Sequence, residues 1–120
     1  MESESEKKSP FEVRVKVQIH KETSFFGPGI VELLGYIREC GSVKDACRRM
    51  ELSYSKGWFI LNRAEEELGY PLIQRNHGGK KGGGAALTES CEKLLARYEE
   101  LEKNIQAYAE EEFKKILSDM

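Results

Sequence analysis

The sequence predicts a mainly α-helical domain with a small β component. Three observations carry that expectation. Apolar residues recur at helical spacing over several stretches between Pro28 and the C-terminal region. The segment Phe11 to His20 alternates with a period of two instead. Two short apolar runs, Pro71-Leu72-Ile73 and Ala85-Ala86-Leu87, flank QRNHGGKKGGG, which reads as a β-hairpin with a long glycine-rich tip. A chain of 120 residues has room for one domain and one modest core.

Residues 1–10, MESESEKKSP, are acidic and polar, so they are expected to form a disordered lead-in rather than a secretory signal. In the next ten residues Val13, Val15, Val17 and Ile19 share one side, and Arg14, Lys16, Gln18 and His20 the other. That is a strand with one buried face. KETSFFGPG breaks it with turn residues. Pro28 suits a first helical position, and Ile30, Leu33, Leu34 and Ile37 keep helical spacing up to a stop at Gly41. Ser42 can cap the next helix, with Asp45 three residues on. Val43, Ala46, Cys47 and Met50 form its apolar side. Ser53 offers a second cap, for a helix over 53–68 with Leu61, Ala64 and Leu68 on one face and Gly69 as its end. Two short helices joined this tightly make a helix-turn-helix by length and cap placement alone. After the hairpin, Thr88 caps a helix over 88–117. There Cys91, Leu94, Tyr98, Leu101, Ile105 and Tyr108 recur at alternating spacings of three and four.

Composition narrows the function classes. No apolar run approaches the ~18 residues of a membrane span, so no membrane partner is expected. Three cysteines in irregular spacing argue against a disulfide framework and for a reducing, cytoplasmic interior. Net charge is −2, yet its distribution is uneven. Residues 42–87 hold 8 Lys/Arg against 5 Asp/Glu, whereas residues 88–120 hold 5 against 9. A basic middle can meet a polyanion even when the whole chain is mildly acidic.

The order strand, helix, helix-turn-helix, hairpin, long helix is that of a winged helix-turn-helix. The stretch from GPGIVELLGYIREC through GSVKDACRRMELSYSKGW to GYPLIQRNHGGKKGGGAALTESCEKLL closely resembles the N-terminal domain of molybdate-responsive (ModE-type) transcription regulators. It resembles LysR-type regulators more distantly. The marks are GPG before the first helix, GS before the second, SY and Trp58 opening the third, PL entering the wing and GGKKGGGAALT leaving it. Gly57 stands where that family usually has alanine, at a cost of roughly 1 kcal/mol in helix propensity. The family's molybdate-binding domains have no counterpart before Met120, so the resemblance implies DNA binding but gives no ground for expecting molybdate sensing.

In a helix-turn-helix the second helix enters the major groove with its N-terminal residues at base edges. Those are Ser53, Tyr54, Ser55 and Lys56, with Phe59 and Arg63 one and two turns along. Ser53 is read chiefly as a cap, and Trp58 as packing rather than a base-stacking plate. The tip glycines let backbone approach a phosphate ridge, to which Lys80 and Lys81 bring charge. Arg75 and His77 stand at its approach. A phosphate-cradling nucleotide loop is excluded, since Lys81 rather than Ser or Thr follows Gly79-Lys80 and the upstream glycine is missing. The seam Leu94, Tyr98, Leu101, Ile105 and Tyr108 suits a twin helix in a homodimer. Folding back on its own domain is the alternative.

No catalytic set, no metal motif and no cofactor site is expected. The histidines sit in polar stretches, and the cysteine spacing matches no zinc pattern. Cys47 and Cys91 fall on apolar helix faces, and Cys40, at a helix end, is the one most open to reaction. Glu65-Glu66-Glu67 reads as an exposed helix face. The chain is thus read as a lead-in over 1–10, a winged helix-turn-helix over 11–87 and a dimerisation helix over 88–120. Its function is read as non-enzymatic, sequence-specific binding of double-stranded DNA in transcription regulation, with a separate protein as a candidate carrier of the sensory domain. A protein-interaction module on the same scaffold, or a direct oxyanion sensor, is the alternative.

Overall fold

The computed structural model describes residues 10–76 and 84–120. Val17–Arg97 form one compact unit; residues 10–16 and Tyr98–Met120 form another.

In the first unit, strand β1 (Ile19–His20) pairs antiparallel with β2 (Ser24–Phe26), with a bulge between Ile19 and His20. Helix α1 (Pro28–Cys40) follows, its proline in the first turn, where a missing N–H costs nothing. It buries Ile30, Leu33, Leu34 and Ile37, the stripe its spacing predicts, each contributing about 1.5–3 kcal/mol by leaving water. Gly41 ends it at φ 70°, a left-handed conformation that glycine adopts without strain, and donates its N–H to the Ile37 carbonyl at 2.8 Å.

Helix α2 (Val43–Arg49) starts where Ser42 Oγ accepts the Asp45 N–H at 3.1 Å. Helix α3 (Tyr54–Leu68) starts the same way, with Ser53 Oγ accepting from Lys56 N–H at 3.1 Å. Between them the turn closes through Leu52 N–H on the Cys47 carbonyl at 2.9 Å, with Glu51 at φ 58°. Strands β3 (Ile73–Asn76) and β4 (Gly84–Leu87) pair antiparallel in the register Ile73↔Leu87 to Asn76↔Gly84. Ala85 N–H donates to the Gly41 carbonyl at 2.9 Å, which fixes the hairpin to the end of α1. Helix α4 (Glu89–Leu117) opens on Thr88, whose Oγ1 accepts from Cys91 N–H at 3.0 Å and donates to the Pro71 carbonyl at 2.8 Å.

Four expectations need correction. The strand expected over 11–20 forms a ladder only at Ile19–His20. Upstream the alternation persists, with Val13, Val15 and Val17 half-buried between exposed neighbours. Among the described residues no strand lies beside Val13 and Val15; the Gln106 side chain takes their backbone groups, accepting from Val15 N–H at 2.9 Å and donating to the Val13 carbonyl at 2.7 Å. The second correction is β2, which lies inside the stretch read as a break and buries Phe26 in the core.

Third, the seam of α4 is partly covered within the chain. Tyr98 is already buried in the single chain, Leu94 and Ile105 are half-buried, and only Leu101 and Tyr108 stand exposed. Cys91, Leu95 and Tyr98 are the helix's buried residues, so the covered stripe shares Cys91 and Tyr98 with the expected seam and takes Leu95 ahead of Leu94. Fourth, Glu65 and Glu67 are not an exposed face. Glu65 Oε2 accepts from the Leu72 and Ile73 amides at 2.7 and 3.2 Å, and Glu67 faces Lys21 at 3.6 Å.

Candidate nucleic-acid interface

The N-terminal half of α3 presents a strip of side chains to solvent. Ser53, Tyr54, Ser55 and Lys56 are exposed, and so is Phe59, at 60%. Capping explains why the strip starts where it does. Ser53 Oγ is occupied by the Lys56 amide, which leaves the hydroxyls of Tyr54 and Ser55 as the outward polar groups. Lys56 Nζ lies 5.7 Å from the centre of the Phe59 ring, so the ammonium shields one side of an otherwise bare aromatic. Asn62, one turn beyond Phe59, continues the strip and is also exposed. Sequence reasoning missed it, although its spacing of three from Phe59 and seven from Ser55 puts it on the same face.

Trp58 links this strip to the wing. It is half-buried; Tyr54 meets it edge-on at 6.5 Å and 86°, and the Arg75 guanidinium lies 4.4 Å over its ring. Arg75 sits on β3, one residue before its end at Asn76. A cation stacked on an indole loses little hydration and holds both partners in place. The helix tip and the root of the wing are thereby joined through one contact, on the same side of the unit. His77, Lys80 and Lys81 lie outside the described residues.

Arg63 serves differently from the expectation. It is half-buried, and its Nη2 donates to Thr23 Oγ1 in the turn between β1 and β2. Its guanidinium fastens the small leading ribbon to α3 rather than pointing along the exposed strip. The other cations of the helix pair divide in two. Arg48 pairs with Asp45 at 3.3 Å, and Arg49 with Glu39 at 3.2 Å while lying over the Tyr36 ring at 4.6 Å. Lys44, in the first turn of α2, and Lys56 are exposed and carry no ion pair among the described residues.

Chemically, the strip offers hydroxyl donors and acceptors, an ammonium, an amide and an apolar ring. Those are the groups that read base edges: lysine on guanine, asparagine on adenine, an apolar surface on the thymine methyl. Among the described residues no three His, Cys, Asp or Glu side chains are grouped to hold a metal, and the three cysteines are free thiols. Cys47 and Cys91 are buried, and burial pushes the Cys91 thiol up to about 12; Cys40 is half-buried. No helix among the described residues is long and apolar enough to cross a membrane.

Known proteins resemble this chain over its helix-turn-helix. Residues 31–92, just over half of the chain, match the family described as bacterial regulatory helix-turn-helix protein, lysR family. A transcriptional regulator ModE of Haemophilus influenzae is 42% identical over 79 residues, 66% of this chain and 31% of that protein. The molybdenum-pterin-binding protein MopB of Rhodobacter capsulatus is 39% identical over 62% of this chain and 28% of its own length. The DNA-binding transcriptional dual regulator ModE of Escherichia coli K12 is 32% identical, over 62% and 29%. The chain spans less than a third of the length of these relatives.

Proposed function

Because this chain belongs to the lysR family of bacterial regulatory helix-turn-helix proteins, we propose that it is a sequence-specific, DNA-binding transcriptional regulator that acts as a homodimer in the cytoplasm and has no enzymatic activity. The stack of Arg75 on Trp58 carries the reading, because it brings the open tip of α3 and the root of the wing to one side. In the proposed mechanism α3 lies in the major groove. Ser55, Lys56 and Phe59 meet base edges there, with Asn62 one turn deeper. Tyr54 and the exposed Lys44 contact phosphate. Arg75, with His77, Lys80 and Lys81 of the tip, grips the backbone beside that groove and carries little sequence information.

The reading includes a homodimer. One α3 reads a few base pairs, and two recognition helices a helical turn apart multiply that discrimination. Leu101 and Tyr108 are the exposed members of the α4 seam and are offered to a twin. The relatives named for molybdenum suggest regulation of molybdenum metabolism. The oxyanion itself would be sensed by a part of those proteins that this chain does not match, or by a separate protein.

Selection of bound duplexes from a random pool tests the reading. A palindromic consensus with half-sites one helical turn apart is expected. Substituting Ser55 or Lys56 with alanine should relax the preference at individual positions. Absence of any retardation of duplex at micromolar protein and low salt would overturn the reading in favour of a protein-interaction module.

A further inference from the structure

Residues 12–16 have the side-chain alternation of a strand and an unusual neighbour. The Gln106 carboxamide accepts from the Val15 N–H at 2.9 Å and donates to the Val13 carbonyl at 2.7 Å. Those two groups flank Arg14 on one edge, and they are the pair that one residue of a parallel strand would engage. Gln106 is itself steadied by Glu110 Oε2 at 2.8 Å. A side-chain amide therefore holds the segment extended from one side. On the opposite edge lie the N–H and C=O groups of Glu12 and Arg14, which meet no hydrogen-bond partner among the described residues. An extended segment fixed on one edge and bare on the other is a template for a further strand.

We propose that this edge pairs antiparallel with the same edge of a second copy of the chain, with Val13 on the two-fold axis. The inference rests on the homodimer reading and gives it a defined contact. The register follows from which groups point outward. Only the even-numbered residues present backbone to the bare edge, so even must face even in the hydrogen-bonded pairs. Centred on Val13, Glu12 faces the partner's Arg14 and Arg14 faces the partner's Glu12, each pair exchanging two hydrogen bonds. Within one chain Arg14 Nη2 already meets Glu12 Oε1 at 3.0 Å, so the two-fold turns one exposed ion pair into a ring of alternating charges. Centring on Arg14 instead would set that cation against its own copy, which is unfavourable.

The other face is equally self-complementary. Val13 meets the partner's Val13, and Phe11, 54% exposed, meets the partner's Val15. Pro10 has no N–H, so the ladder stops where it would face the partner's Lys16. A strand of unrelated sequence would match none of these pairs, and this is why the occupant is a second copy and the interface isologous. The ladder is short. It sets register, and apolar surface elsewhere supplies most of the affinity.

Cross-linking tests the contact directly. Non-hydrogen-bonded residues facing across an antiparallel pair have Cα atoms about 4.5 Å apart, within disulfide reach. In a Cys40→Ser background, oxidation of Val13→Cys with diamide should convert most of the protein to a covalent dimer. Arg14→Cys, whose copies lie offset along the pair, should stay monomeric on a non-reducing gel. Sedimentation of the unchanged chain runs alongside. A dimeric chain that gives no Val13→Cys cross-link overturns the strand pairing and leaves the homodimer reading standing; a monomeric chain overturns both. Arg14→Pro, which deletes one outward N–H per chain, should weaken the dimer roughly tenfold or more. An unchanged dissociation constant would count against the ladder even if the cysteine variant failed to fold.

Discussion

At the scale of single residues, Gly57 shows how a local cost is compensated across space. Helix propensity alone makes it a weak point in α3. A Cβ at this position, however, would lie 2.2 Å from Cys47 Sγ. The sulfur from α2 fills the room an alanine methyl would take, and the two helices close on each other over it. Gly57→Ala should therefore destabilise by about 1–2 kcal/mol, as overpacking outweighs the ~1 kcal/mol gained in propensity. Cys47→Ala alone leaves a small void. The double variant should recover stability, with a coupling of at least about 1 kcal/mol between the sites in urea unfolding. Simple additivity would refute the contact. Cys91 makes a pH-dependent counterpart. Burial disfavours its thiolate and pushes the folded pKa up to about 12, with Glu92 adding to the shift. A raised folded value means the contribution is intact below the unfolded thiol's pKa, near 8.5, and is lost as pH climbs from there toward 12. Between pH 9 and 10.5 stability should fall by up to about 1.4 kcal/mol per pH unit from this group, and Cys91→Ala should flatten that slope. An identical slope in the variant would mean that the thiol ionises without opening the fold.

At the scale of elements, what was legible in the sequence was what neighbours in the chain decide. Ser42, Ser53 and Thr88 cap the helices they precede, and Gly41 and Gly69 end helices in left-handed conformations, because each device acts within three or four residues. What escaped depends on distant partners. Nothing near Val13 foretells that Gln106, over ninety residues on, will take the place of a strand. On α4 the chain by itself covers Cys91 and Tyr98 of the expected seam but leaves Leu101 and Tyr108 exposed. The helix's apolar residues spread over two adjacent stripes, and periodicity alone cannot say which of them the chain covers by itself. Three consecutive glutamates gave no hint that one is structural, since charge runs are ordinarily solvated. Yet Glu65 binds the first two amides of the segment leading into β3, so the end of α3 fixes where the wing begins. Glu65→Ala leaves those amides, one of them on fully buried Leu72, without a partner; a loss of about 2–3 kcal/mol is expected. Glu65→Gln keeps an acceptor and should cost about 1 kcal/mol. Hydrogen exchange at Leu72 and Ile73 checks the cause: faster exchange in the alanine variant supports it, and unaltered protection rules it out.

At the scale of the whole molecule, a chain of net charge −2 must bind a polyanion through local excess rather than bulk attraction. The segment carrying α2, α3 and the wing holds 8 basic against 5 acidic residues, and several of those charges are already spent internally. Glu67 pairs with Lys21 within the fold, so the acidic run of α3 is partly neutralised. Arg48, Arg49 and Arg63 are likewise engaged, so on the proposed reading few cations remain to displace counterions from the duplex: Lys44, Lys56, Arg75 and the wing lysines. With so few contacts, each should be visible in the salt dependence. Log affinity against log salt is expected to fall with a slope of about −0.9 per phosphate contact, and Lys80→Ala with Lys81→Ala should lower the magnitude by up to roughly 1.8. The pair should weaken binding to all duplexes alike, since backbone contacts carry no base information. Arg75→Ala should do more than remove one contact, because it also unstacks Trp58 and frees the wing root; its loss of affinity should exceed what its change in slope accounts for. If the wing double variant keeps the unchanged chain's slope, the glycine-rich hairpin takes no part in holding DNA, and α2 and α3 must carry the whole interaction.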